Sequence, residues 1–557
     1  MLTRCLIIFL ESRKKYQICQ SEVVINLSKR QQAIHLLLSD KNISTSYVKP
    51  LKKERNQIMH NIRRECHAAA CRKVESLVEE IEAVKDQSTR MFKAVSTCLK
   101  KPFEKIQIKD KEGSFLGEQQ CGIAISSHFK SQFNSSQGNL IPIDLPAPLE
   151  IPITAMEFSI AFKRINNNRS PGIDDIPGEL MKYGGAYLAE ITAEIFNKSF
   201  ELNCTESLKL GEGVLIALQK PGKTKGLCSN LRPIVLLKTL RKSFSIVVLN
   251  RIKDRAYEYI SPYQSGFRSY RSTMDAVWTH RWNVAKLLHF KRISYIFGID
   301  LSRAFDTIDR MKLLEILRDF LSLDEIRMVA LLLRDTTMQL RFNQVLYKAF
   351  ETNIGITQGD GLSPLLFNIY LEAAIRDLAK CLNLEEELVK VLVAYADDAD
   401  FRTEHIYLID LLEAKAPAIL KKWNLQMNLS KSEFTHVEKR SSRTDEHWRN
   451  VKKLGSLLGD TEDVLRRKNL ARAALSRMWK LWINRNRLSE SLRIRLYNAY
   501  IKPVLLYNCG TWGITDTVLK GLESFHRSQL RRILGIYYPD HLSNKDVYSR
   551  CMCHPLR

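Results

Sequence analysis

Two periods of apolar and polar residues organise this chain. Ser294–Asp300 (SYIFGID) and Val391–Asp397 (VLVAYAD) are short aliphatic and aromatic runs that end abruptly in carboxylates. That is the pattern of buried strands delivering acids to a sheet edge. The second run continues through Asp398 to Phe401, which predicts a strand, a tight turn bearing Asp397 and Asp398, and a return strand. If the two segments pair at the ~4.8 Å spacing of neighbouring strands, Asp300 and Asp397 converge on one point. Gly213–Leu237 reads as a strand, a basic loop and a strand.

Elsewhere the spacing is helical. Gln31 to Thr97 is charged, poor in Gly and Pro, and aligns Val74, Leu77, Ile81 and Val84 on one stripe. Thr154–Asn166 reads as a helix that Pro171-Gly172 later breaks off. From Thr461 to Trp482, Leu470, Ala474, Met478 and Leu481 form an apolar stripe that leaves Arg466, Arg472, Arg477 and Lys480 mostly outward. Asp110–Gly113 (DKEG) predicts a hairpin turn, and Ser135–Pro152, rich in Ser, Gly, Asn and Pro, predicts a linker.

Chemistry and charge narrow the picture. Three carboxylates in one place repel unless divalent cations hold them, and oxygen-only ligands suit Mg²⁺, with Mn²⁺ as a substitute. Two such ions activate an attacking 3′-hydroxyl and steady a leaving pyrophosphate. The 557 residues allow about three or four domains. Against 61 acidic residues stand 86 Lys and Arg, a net +25 that points to a polyanionic partner. The excess is uneven: Gly459–Arg557 holds 18 basic and 8 acidic residues, Lys101–Glu150 only 5 and 6. The twelve cysteines lack paired zinc-ligand spacing and read as reduced thiols of an intracellular protein. Cys5–Leu10 is too short an apolar run for a signal or a membrane span, so neither secretion nor insertion is expected. Lys49–Arg55 reads either as a nuclear-localisation patch or as a solvated helix face, leaving nucleus and cytoplasm both open.

The order DLSRAFD, QGDGLSPLLFN, YADD, NLSKSE and KKLGSLLGD, over more than 250 residues, resembles the reverse transcriptases of non-LTR (LINE-type) retrotransposons. The resemblance implies an α+β right-hand polymerase: a helical extension and linker over 1–150, fingers and palm over 151–458, and a basic helical thumb with a post-thumb segment over 459–557. It implies RNA-directed DNA polymerase activity on an RNA template with a DNA primer and dNTPs. Asp300, Asp397 and Asp398 are then the catalytic, metal-holding carboxylates. Lys220 and Arg232 flank the fingers loop that closes over the triphosphate. Phe305 is the wall beneath the sugar that excludes a 2′-hydroxyl, Gln358 and Gly359 lie at the incoming nucleotide, and Lys431 approaches the triphosphate as a proton donor. Arg268 and Arg271 of YQSGFRSYRST are expected on template phosphates, and Arg466, Arg472 and Arg477 on the duplex. Arg169 for Lys, Gly361 for Pro and Asn508 for Gly depart from the family pattern. The resemblance also implies a truncated fragment without the family's endonuclease, so insertion would need a cut made by a separate activity. Two rival readings stay open, a non-catalytic nucleic-acid-binding relic and a telomerase or group II intron type of reverse transcriptase; the GFR, GDGLSP and LGSLLG segments favour the LINE type.

Overall fold

The computed structural model describes residues 22–39, 45–99, 105–110, 112–135, 141, 146–483 and 487–556. The apolar run at Cys5–Leu10 lies outside them. The chain forms two compact units, one of Met1–Phe103, Val464–Tyr507 and Gly513–Arg557, the other of Glu104–Asp463 with Asn508–Trp512. This regroups the three expected segments. The N-terminal helices share a unit with the C-terminal ones, and residues from Glu104 onward join the fingers and palm.

The first unit is helical where described. Glu22–Ser39 and the 39-residue Thr45–Ala83 pack through Val24, Ile34, Ile58 and Ile62. The expected stripe is real but shifted, since Val78 and Ile81 are fully buried while Val74, Leu77 and Val84 are only partly so. The C-terminal helices close on it: Arg495 donates to the Lys85 carbonyl at 2.7 Å, and Ser489 N–H to Glu82 at 2.8 Å. In the Asp460–Arg477 helix the buried apolar positions are Val464, Ala471 and Leu475, followed by Met478, Leu481 and Trp482. Leu470 is exposed, so the expected Leu470–Ala474 stripe is rotated by about one residue. The cause is tertiary: Arg467, buried, turns inward to stack on Tyr507.

In the second unit the strands are, in chain order, β1 (Glu212–Gln219), β2 (Leu231–Leu237), β3 (Ser294–Ile299), β4 (Leu301–Ser302), β5 (Thr336–Phe342), β6 (Val345–Leu346), β7 (Phe350–Thr352), β8 (Leu392–Tyr395), β9 (Asp398–Thr403), β10 (Gln426–Met427), β11 (Glu433–Val437), β12 (Lys452–Lys453) and β13 (Ser456–Leu457). One sheet runs β2-β1-β5-β6, with β7 also on β5; β1 and β2 are the expected hairpin around the basic loop. The helix Glu118–Phe133 covers this sheet. It places Cys121, Ile125, Phe129 and Phe133, four residues apart, against Leu215, Val235 and Leu340. This helix falls in the segment expected as extension and linker, yet it is a structural layer of the fingers.

The other main sheet runs β11-β3-β9-β8, all antiparallel. β3 therefore pairs with the return strand β9 and not directly with β8. Its helical backing, including Thr239–Tyr259 and Ser363–Leu382, forms the largest apolar core, in which Phe196 stacks on Phe244 at 4.4 Å. The latter helix starts at Ser363-Pro364, as the sequence predicts. The second unit is thus α+β, a mixed sheet and an antiparallel sheet packed with helices. Among the described residues, no helix is long and apolar enough to cross a membrane.

Candidate active site

β3 ends at Ile299, opposite Ala399, and Asp300 follows at once. Tyr395 pairs with Asp398 across the β8–β9 hairpin, so Ala396 and Asp397 are its two turn residues. Ala396 sits at φ 56°, a left-handed conformation that is uncommon for a residue with a side chain. Gln264 supports it: its Oε1 accepts from Ala396 N–H at 2.8 Å and its Nε2 donates to the Ala396 carbonyl at 3.2 Å. The YQSGFR segment thus braces the acidic turn, a role its sequence did not announce.

All three carboxylates feel one another. Burial, then repulsion from Asp300, raises the Asp397 carboxyl above its usual range, while Arg232 and Lys431 oppose the rise. Asp398 is pushed up to about 6 by burial and by Asp397, Asp400 and Asp300. Lys431 stands on the short turn after β10, with Nζ 2.9 Å from Asp300 Oδ2. A cleft of about 130 Å³ opens here, lined by Asp300, Asp398, Lys431, Glu433 and Lys452 among others.

A cationic group faces the acids. Lys220, at the end of β1, donates to the Ser229 carbonyl at 2.9 Å. Its pKa is lowered by burial, then by Arg303, Arg232 and Lys431, with Asp306 acting the other way. Arg303, in DLSRAFD, is exposed at φ 54° and was missed by sequence reasoning, although its place three residues after Asp300 was the available signal.

Beside these lies a polar knot. Asp306 is buried and receives Gln132 Nε2 on one oxygen and Gln358 Nε2 on the other, both at 2.8 Å. Burial lifts its pKa to about 6 against both amides and the nearby Arg303 and Lys220. The Gln358 amide is thus committed to Asp306, not turned out to an incoming nucleotide. Gly359 is at φ 128°, where an added Cβ would come within 2.5 Å of the Val235 carbonyl, so the loop lies directly on β2. Asp360 is structural: buried, it accepts from Ser245 Oγ at 2.9 Å and pairs with Arg241 at 3.3 Å. Phe305 is half-buried, stacked on Phe367 at 4.4 Å and edge-on to Phe267 at 6.2 Å.

The structure corrects the expectation for Arg268. Its guanidinium donates to the carbonyls of Tyr257 (3.2 Å), Ile260 (3.3 Å) and Ser261 (3.0 Å) and lies over the Tyr257 ring. It caps the C-terminal end of the Thr239–Tyr259 helix, whose last carbonyls lack helical partners. Arg271 is exposed beside it. Arg466, Arg472 and Arg477 belong to the helical unit. Arg472 donates to Asn469 at 2.7 Å and lies over Phe525, and Arg477 is exposed.

Among the described residues, no three His, Cys, Asp or Glu side chains form a ready-made cage. Mg²⁺ does not require one, since it commonly binds through one or two carboxylates with substrate phosphates completing its shell. Mutually repelling, all-oxygen donors at Asp300, Asp397 and Asp398 fit that mode.

The edge of the antiparallel sheet thus presents paired acids, with Lys431 on Asp300 and the charge of Arg232 felt at Asp397. Residues 218–458 match the family described as reverse transcriptase (RNA-dependent DNA polymerase). The chain is 22% identical over 336 residues to the "Probable RNA-directed DNA polymerase from transposon BS" of Drosophila melanogaster, covering 56% of this chain and 36% of that protein. It is 23% identical over 431 residues to the "RNA-directed DNA polymerase from mobile element jockey" of Drosophila funebris, covering 73% and 46%. The chain therefore spans less than half the length of these relatives. Among solved structures, apo telomerase from Candida tropicalis overlaps 62% of this chain and 68% of its own at 13% identity, with a TM-score of 0.33. Residues 218–458 are thus similar to reverse transcriptases, and these relatives are named as RNA-directed DNA polymerases of a transposon and a mobile element.

Proposed function

We propose that this chain is an RNA-directed DNA polymerase that extends a DNA primer on an RNA template, using dNTPs. The observation that carries the reading is the gathering of Asp300, Asp397 and Asp398 at the end of the β3-β9-β8 sheet, with Lys431 paired to Asp300, the charge of Arg232 felt at Asp397, and Arg303 and Arg232 felt at Lys220. Divalent cations bound by the acids, Mg²⁺ or Mn²⁺, would supply activation of the primer hydroxyl and neutralisation of the leaving pyrophosphate. Asp300 and Asp397 would hold the cations, and Asp398 adds negative charge beside them. Lys220 and Arg232, on either side of the β1–β2 loop, grip the triphosphate, and Arg303 joins them. Lys431, now paired with Asp300, is placed to turn toward the triphosphate and give up a proton as pyrophosphate leaves. Phe305 bounds the sugar, held in place by its stack on Phe367. Gln358 acts through Asp306, and Gly359 lets the loop lie close to β2. Arg271, and across the helical unit Arg466, Arg472 and Arg477, meet backbone phosphates of template and duplex. Primer extension on a heteropolymeric RNA, with Mg²⁺ and with the ion chelated, tests the reading. Extension that requires both RNA and ion supports it, and absence of extension under every ion rejects it.

A further inference from the structure

Beside the catalytic acids, in the same cleft, lies a second charged cluster to which the reaction gives no role. Asp400, on β9 two residues beyond Asp398, is buried opposite Gly298 of β3. Its Oδ1 accepts from Lys453 Nζ at 2.7 Å, and its Oδ2 lies 3.1 Å from His280 Nε2. Lys453 is 6% exposed and His280 1% exposed. The Lys453 ammonium also reaches Glu433 of β11 at 3.2 Å. It sits so close over β3 that a Cβ on Gly298 would stand 3.0 Å from Nζ and 2.7 Å from Asp400 Oδ1.

Lys453 belongs to the two-residue hairpin β12–β13, which turns through Leu454 and Gly455, both at positive φ. Side chains alternate along a strand, so its neighbour Lys452 points the other way. Both lysines border the cleft with Asp300 and Asp398, but Lys452 is exposed where Lys453 is buried. The opposite strand of the hairpin is held by Arg281, which follows His280 on the helix Thr273–His289: it donates to the Leu457 carbonyl at 2.6 Å and pairs with Asp463 at 2.9 Å, and Asp463 accepts from Leu457 N–H. Arg281 thus holds one strand of the hairpin directly, and His280 acts on the other through Asp400.

Stability alone does not call for buried charge here, because a well-packed apolar pair commonly does as well or better. What an ion pair adds is direction. We propose that Asp400, Lys453 and His280 form a clamp that fixes the β12–β13 hairpin to the catalytic sheet, so that Lys452 holds the backbone phosphate at the primer end in register with Asp300 and Asp398. Asp400, Lys453 and His280 are positioning residues in this scheme, which rests on the polymerase reading above.

The test compares wild type with Lys453→Met and with the double variant Asp400→Leu, Lys453→Met. For each, the melting temperature, the hydrogen exchange of amides 451–458, and kcat and KM for template–primer and for dNTP are measured. Lys453→Met strands a buried carboxylate and should lower Tm, speed exchange in the hairpin, and raise KM for template–primer about tenfold while KM for dNTP moves less than about twofold. The double variant should regain Tm but keep the raised KM for template–primer. A double variant that folds with wild-type Tm and wild-type KM overturns the clamp and leaves the pair as packing. Should the double variant not fold, Gly298→Ala decides, because it displaces the ammonium without removing a charge: a raised KM for template–primer supports the clamp and an unchanged one overturns it. Hairpin exchange separates the two readings. Unchanged exchange in Lys453→Met overturns the clamp whatever the activity, whereas faster exchange in a protein whose wild type extends no primer rejects the polymerase reading instead.

Discussion

Phe305 carries two jobs that one substitution can separate. Its ring is stacked on Phe367 and packed against the palm core, yet half-buried, so one side still borders the cleft. Phe305→Ala should cost about 2–3 kcal/mol of stability, less than the ~3–5 of a fully buried ring, and should admit ribonucleotides because the wall is gone. The ratio of dCTP to CTP incorporation, read with Tm on one preparation, checks this; a destabilised variant with unchanged sugar preference leaves Phe305 as packing. Asp306 gives a pH signature. Its folded pKa of about 6 lies above the ordinary carboxylate value. Below about pH 4 both folded and unfolded states are protonated, and as pH rises through 6 the folded state must ionise a buried acid. The stability contributed by this group is therefore lost between about pH 4 and 6, by roughly 2–3 kcal/mol. Asp306→Asn removes that loss, so the Tm of the variant minus that of wild type should grow across this window. A flat difference contradicts the assignment.

At the scale of elements, the loop that follows the Thr239–Tyr259 helix shows how a charge changes meaning in three dimensions. Arg268 looked like a phosphate ligand from its neighbours in sequence, but its donors meet the carbonyls that end the helix. Arg268→Ala should lower stability by about 1.5–3 kcal/mol, the range for hydrogen bonds from a charged donor, and leave the salt dependence of RNA binding unchanged. A flattened salt slope at unaltered Tm would restore the phosphate role. The strands that end in Asp300 and Asp397 were legible because β-branched and aliphatic runs stop at acids, a local signal. The Ser363-Pro364 helix start was legible for the same reason. What pairs with what was not: β9 between β3 and β8, Gln132 on Asp306 and Lys453 on Asp400 join residues that chain spacing does not relate. The helix Glu118–Phe133 had a readable four-residue apolar spacing, but nothing in the chain order assigns it to the β1–β2 sheet, so it stayed within the 1–150 segment read as extension and linker. The Asp460–Arg477 helix was read in the right place with its buried face rotated, because Leu470 and Arg467 exchange the inside and outside positions that polarity alone assigns.

Over the whole molecule, 86 Lys and Arg against 61 acids make polyanion binding a matter of counterion release. Affinity for a template–primer should fall by about 0.7–0.9 log units per log unit of salt for each phosphate contact. Replacing Arg466, Arg472 and Arg477 with Ala should flatten that slope with little effect on sequence preference; an unchanged slope places the phosphate-binding face elsewhere. The central claim is narrower than binding, since it concerns the acids at the sheet edge. Primer extension by Asp397→Asn on an RNA template in Mg²⁺, with affinity for the same template–primer measured alongside, tests it most directly. The account predicts extension lost and affinity nearly unchanged, with the double variant Asp300→Asn, Asp397→Asn scarcely worse than the single, because the carboxylates act as a unit. Extension and affinity falling together, or extension persisting, would contradict it.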